Sequence, residues 1–106
     1  MELTNLTAIS PVDGRYRKQV AHLDEYFSEY ALMKYRVIVE IEYFLFLADK
    51  KFFKLNTKAR LQLRKVAEDF SLDDAQQIKD IERITNHDVK AVEYFLKQCR
   101  NCSFYL

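Results

Sequence analysis

The sequence predicts an all-α fold of about four helices behind an irregular N-terminal arm. Three observations carry this. The 106 residues contain one glycine, Gly14, and one proline, Pro11, so everything after Tyr16 is free of the two residues that most strongly break helices. Apolar residues recur every three or four positions through most of that length, which is the period of a helix face. Short polar segments of the kind that cap helices separate the periodic stretches.

The length allows one domain, and 49% hydrophobic with 31% charged residues is the balance of a globular chain. No repeat, low-complexity tract or linker interrupts it. Residues 1–106 are therefore expected to form a single helical domain.

The longest helix is predicted from Ser28 to Lys51. Leu32, Tyr35, Val39 and Phe46 form one apolar series and Ile38, Ile41, Leu45 and Ala48 another. Val37 to Tyr43 is β-branched and partly alternating, a local strand pattern, but the helical period on both sides favours helix. Between Val37 and Ala48 apolar residues surround almost the whole circumference, interrupted by Glu40 and Glu42. One buried face needs fewer, so something should cover a second face, and uncovered it should promote self-association.

A second helix is predicted from a cap at Asn56 or Thr57 to about Phe70. Leu61, Leu63, Val66 and Phe70 are its apolar positions, and its charged side is an ordinary solvated face. Ser71 then supplies a hydroxyl cap ahead of Asp73 and Asp74, whose charges suit the positive end of a third helix running through Ile78 and Ile81. The polar interruption Thr85-Asn86-His87-Asp88 precedes a fourth helix marked by Val89, Val92, Tyr94, Phe95 and Leu96. Its first N–H groups should point back toward Asn86 and His87.

Several function classes are disfavoured. Lys plus Arg total 17 against 16 for Asp plus Glu, a formal charge of +1, so no long-range field would gather nucleic acid or anionic membrane. The start Met1-Glu2-Leu3-Thr4-Asn5-Leu6 lacks the pattern of a signal peptide, and no stretch reaches the ~18 apolar residues of a membrane span. A cytoplasmic protein is expected. Cys99 and Cys102 have Cys-x-x-Cys spacing, but without a second ligand pair or βαβ context they read as incidental thiols. No metal constellation or cofactor loop is present, so neither metal nor cofactor is expected. The seven tyrosines and eight phenylalanines fall at helical spacings and read as core rather than as platforms for bases.

Two clusters can carry chemistry. In Asp13-Gly14-Arg15-Tyr16 the glycine is expected to let the backbone turn sharply, presenting a guanidinium and a phenol side by side. Arg15 offers a planar fork for phosphate or carboxylate, and Tyr16 adds a neutral donor. Such a pair also occurs as simple packing or ion pairing. In Asn86-His87-Asp88 an amide, an imidazole and a carboxylate meet at a helix start that favours an anion, and an ordinary capping segment has the same composition. Local chemistry leaves both readings open at both places. His22 has no partner at ligand spacing and reads as a surface or capping residue.

Taken together, the segment Ser10 to Tyr16 and the run Ile81 to Leu96, Ile-Glu-Arg-Ile-Thr-Asn-His-Asp-Val-Lys-Ala-Val-Glu-Tyr-Phe-Leu, resemble the adenylosuccinate lyase family. Phe27-Ser28-Glu29-Tyr30 adds to the likeness, which extends over about Met1 to Lys97 and is weakest between Leu47 and Glu68. The resemblance implies the N-terminal helical domain of a fumarase/aspartase superfamily member, a superfamily of homotetramers whose active sites draw on three subunits. It implies elimination of fumarate from adenylosuccinate, giving AMP, and from the succinyl-carboxamide ribotide of the same pathway.

Carried onto this sequence, the resemblance implies that Arg15 and Tyr16 contact the nucleotide, with Arg15 suited to its phosphate, and that Asn86, His87 and Asp88 line the substrate pocket. His87 is expected to support catalysis without being the principal acid or base, so that Arg15 and His87 line one concave site. In that superfamily the base is a serine on a flexible loop and the acid a histidine, both downstream of these residues. Neither the Ser-Ser-x-Met-Pro-x-Lys-x-Asn-Pro loop nor the Thr-Ser substrate motif that should follow this domain occurs here, so the chain alone is expected to be inactive. Residues 98–106 depart from the family pattern as an atypical tail. An alternative from a different class is a self-standing helical module that binds a protein partner through an exposed apolar helix face.

Overall fold

The computed structural model describes residues 1–98. Cys99 and Cys102 lie outside the described residues, and of the atypical tail only Gln98 falls within them. Four helices of eleven residues or more follow the arm: α1 (Glu29–Asp49), α2 (Thr57–Glu68), α3 (Leu72–Thr85) and α4 (Asp88–Gln98). No strand occurs among the described residues, so the β-branched run Val37 to Tyr43 is helical, its local preference overridden by the apolar period around it. No helix among the described residues is long and apolar enough to cross a membrane.

Each helix starts where a side chain satisfies its free N–H groups. Ser28 accepts from the Ala31 N–H at 3.1 Å, Asn56 from Ala59 at 2.8 Å, and Ser71 from Asp74 at 3.2 Å while Asp74 returns a bond to the Ser71 N–H. A cap of this kind contributes about 1 kcal/mol. The second helix stops at Glu68, two residues before Phe70, the end expected from sequence. Phe70 instead leaves the helix and turns inward, stacking on Tyr30 at 5.7 Å and meeting Phe95 edge-on at 6.0 Å. Its carbonyl accepts from the Tyr30 hydroxyl at 2.9 Å, a bond that ties the first turn of α1 to the α2–α3 connection. Burial, then the charges of Glu25 and Asp74, push the Tyr30 phenol above its ordinary range, which keeps it a donor.

The core runs along one face of α1. Met33, Val37, Ile41 and Leu45 are almost fully buried against Leu63 of α2, Ile78 of α3, and Val92 and Leu96 of α4. Each such side chain stabilises the fold by about 1.5–3 kcal/mol.

The arm is more ordered than expected. It contains a 3-10 turn at Pro11–Asp13, one helical turn at Arg17–Val20 and a second 3-10 stretch at Ala21–Glu25. The Leu6 carbonyl accepts from the Tyr30 N–H at 2.8 Å, docking the arm onto the start of α1.

Candidate functional site

The first predicted cluster is held by its neighbours. One Asp13 carboxylate oxygen accepts the N–H groups of Ile9 at 2.6 Å and Ser10 at 2.7 Å, and the other accepts from Arg17 at 2.8 Å. Burial raises the Asp13 carboxyl, but these donors together outweigh it and hold the group below its usual range. Arg17 also donates to Asp24 at 2.9 Å and to the Met1 carbonyl at 3.2 Å. Asp24 is 2% exposed and receives the N-terminal ammonium at 3.5 Å as well. Two buried carboxylates around one guanidinium thus latch the arm.

Sequence reasoning passed over this latch and selected Arg15. The signal was present in the i, i+4 spacing of Asp13 and Arg17, one helical turn apart. Arg15 itself is exposed and forms no ion pair among the described residues; its guanidinium rests 5.4 Å from the ring centre of Tyr16, which is also exposed. The two residues form the adjacent pair expected. The glycine is not what makes the turn: Gly14 has φ −71°, and a Cβ added there would meet nothing within 4 Å. The Ser10 cap and the Asp13 carboxylate fold the backbone instead.

The second cluster sits at the α3–α4 junction. Asn86 closes α3 with φ 55° and ψ 33°, a left-handed conformation, and its N–H bonds the Glu82 carbonyl at 2.7 Å. Asparagine is among the few non-glycine residues that tolerate this, so backbone geometry alone accounts for its type. The sharp reversal places His87 ahead of α4, where Nδ1 accepts the Lys90 N–H at 3.1 Å. With Nδ1 an acceptor, the proton of the neutral ring belongs on Nε2. The imidazole caps the helix with one nitrogen and offers a donor to solvent with the other.

Asp88 follows. It accepts the Val89 N–H at 2.8 Å and forms an ion pair with Arg36 of α1 at 3.0 Å. The Val89 N–H, then the Arg36 charge, hold its carboxyl below the usual range. Lys90 is committed to Glu93 at 3.0 Å, and that bond and charge keep its ammonium above its ordinary range. Arg36 had no place in the sequence reading, because nothing local relates it to a residue 52 positions away.

The described chain does not join the two clusters. No hydrogen bond or ion pair among the described residues links Arg15 or Tyr16 to Asn86, His87 or Asp88. A cleft of about 400 Å³ lies between Asn5 and Leu6 of the arm and Gln76, Lys79 and Arg83 of α3. Asn86 lines it, and Arg15, Tyr16 and His87 do not. All five residues are exposed on the chain. His22 is exposed, as expected. Among the described residues no group of three or more His, Cys, Asp or Glu side chains is arranged to hold a metal ion.

No protein-family model matches the chain. Curated relatives do. The chain is 56% identical over 103 residues to an adenylosuccinate lyase of Dictyostelium discoideum, and 51% and 48% identical over 102 residues to those of Escherichia coli and Haemophilus influenzae. Each match covers 92% of this chain, and the chain spans 22% of the length of these relatives.

Proposed function

From its likeness to adenylosuccinate lyases along nearly its whole length, we propose that this chain is the N-terminal, substrate-binding portion of such an enzyme. The reaction in view is elimination of fumarate from adenylosuccinate and from the succinyl-carboxamide ribotide. Identity of 46–56% over 92% of the chain carries this reading. The all-helical architecture is that of the fumarase/aspartase N-terminal domain.

Arg15 and Tyr16 bind the nucleotide in this proposal, Arg15 at the phosphate. Its lack of an internal ion pair supports the assignment, because a guanidinium already bound to carboxylates, as Arg17 is, has little left to offer a ligand. Asn86, His87 and Asp88 line the pocket. The outward Nε2 of His87, on the positive end of α4, suits a donor to an anionic substrate. Elimination needs a base beside a carboxylate, an acid at the departing nitrogen and donors for developing charge. This segment contributes donors, and the principal acid and base come from outside these residues. Because no contact joins the clusters within one chain, they meet through neighbouring subunits of a homo-oligomer, a tetramer by the family resemblance.

A chimera tests the proposal. Residues 1–97 replace the matching segment of the Escherichia coli enzyme, whose folding and assembly are checked by circular dichroism and light scattering, and fumarate release is followed. An active chimera in which Arg15→Ala and His87→Ala each lower kcat/KM about 100-fold or more is expected, as for losing a transition-state contact worth a few kcal/mol. A correctly assembled chimera indifferent to both substitutions overturns the site assignment.

A further inference from the structure

The side chains of Arg15 and Tyr16 take no part in holding the arm together. Among the described residues neither forms a hydrogen bond or ion pair, and the guanidinium and the ring contact each other at the surface. Where they point is therefore set by the backbone beneath them. That backbone is fixed at both ends. One Asp13 carboxylate oxygen closes the turn on the Ile9 and Ser10 N–H groups. The other accepts from Nη1 of Arg17 at 2.8 Å, so Gly14, Arg15 and Tyr16 form the crown of a closed loop. The Tyr16 N–H, bonded to the Val12 carbonyl at 3.1 Å, lies within it.

The same guanidinium ties the loop to the longest helix. Nη2 of Arg17 donates to Asp24 at 2.9 Å. The Asp24 carbonyl accepts from the Ser28 hydroxyl at 2.5 Å, and that hydroxyl caps α1. Asp13 and Asp24 are 7% and 2% exposed, and among the described residues Arg17 alone bonds both. Two divergent donors on one planar group suit this bridge, and a lysine ammonium on a flexible stem does not reproduce them.

We propose that Arg17 is a positioning residue for the nucleotide site. By bridging Asp13 to Asp24 it sets the direction in which Arg15 and Tyr16 meet the substrate phosphate. Its own donors are engaged by carboxylates, so it acts through these two neighbours and not on substrate. The inference rests on the assignment of Arg15 and Tyr16 to the nucleotide.

The test is a mutant cycle in the chimera. Arg17→Met keeps the stem, removes the fork and should lower kcat/KM about 10- to 100-fold, as expected for a displaced binding group. In an Arg15→Ala, Tyr16→Phe background the same change should lower it less than about twofold, because a residue that acts through others is silent once they are gone. An equal loss in both backgrounds, or none in the first, overturns the inference while the site assignment stands. If Arg15→Ala itself has no effect, the site assignment falls and the inference with it.

Amide exchange in the 106-residue chain is the second measurement. Arg17→Met should accelerate the Tyr16 amide at least about tenfold and leave the Tyr30 amide, bonded to the Leu6 carbonyl, unchanged. If Tyr30 is freed too, Arg17→Met with Asp24→Asn removes the buried charge left behind, and the same contrast is expected. An unmoved Tyr16 amide, or equal acceleration at Tyr30 in both variants, overturns the proposal.

Discussion

The Arg36 guanidinium, on α1, lies 3.0 Å from the Asp88 carboxylate in the first turn of α4. The pair fixes the turn that carries His87 against the longest helix of the fold. Arg36→Ala should therefore loosen the start of α4 more than the domain as a whole. Amide hydrogen exchange at Val89 and Lys90 is expected to accelerate while the midpoint of urea unfolding barely moves, because the pair is open to solvent on the Asp88 side, whose side chain is 51% exposed.

Acid should release the arm. The Asp13 carboxyl is held below its ordinary range by Ser10, Ile9 and Arg17 against the opposing effect of burial. A lowered folded-state value means that stability from this group is present above the unfolded value of about 3.9 and disappears as pH falls through the folded one. As pH falls through that lowered value, below the ordinary carboxylate range, the Ile9 and Ser10 amide resonances should shift toward solvent-exposed positions. Asp13→Asn should show the same shifts at neutral pH.

The two faces of α1 should respond differently to truncation. Leu45 is 2% exposed, and Leu45→Ala leaves a cavity that should cost about 2–5 kcal/mol in urea unfolding, a large share of the ~5–15 kcal/mol available to a domain. Val39 is 66% exposed, and Val39→Ala, measured in dilute solution, should change stability by less than about 0.5 kcal/mol.

Ser71→Ala removes one side of the reciprocal cap at the start of α3 and should cost about 1 kcal/mol. Gly14→Ala should be tolerated within about 0.5 kcal/mol, since φ is negative and the added methyl meets nothing. Thermal unfolding of both variants checks the contrast.

Nucleotide binding by the chain alone should be weak. A few exposed groups cannot repay the entropy of capture, so calorimetry with AMP should give a Kd above about 1 mM, and no fumarate should be released from adenylosuccinate. Micromolar affinity, or turnover, would contradict the proposal that this chain supplies one part of a composite site.

The sites were less legible than the helices. Arg15 and Tyr16 stand side by side, as anticipated, yet the Arg17 bonds to Asp13 and Asp24 and the Arg36 bond to Asp88 could not be ranked in advance. Charged residues fall on every exposed turn, and which of them pair is decided by neighbours distant in the chain. His87 shows a subtler limit. Capping and ligand presentation looked like competing roles, whereas an imidazole has two nitrogens and the cap occupies only Nδ1.

By itself the sequence determined the four helices and the neighbourhood of each start, at Ser28, at Asn56 or Thr57, at Ser71 and within Thr85 to Asp88, because periodicity and capping are written within a few adjacent residues. It also announced that α1 carried more apolar surface than one face requires. Tertiary structure alone decided that Val37 and Ile41 enter the core while Val39 and Tyr43 stay outside, that Phe70 leaves its helix to meet Tyr30, and that one chain leaves Arg15 and His87 without a shared contact. Those outcomes depend on how α2, α3 and α4 lie against α1, and packing of that kind compares alternatives across the whole molecule rather than along a few turns of backbone.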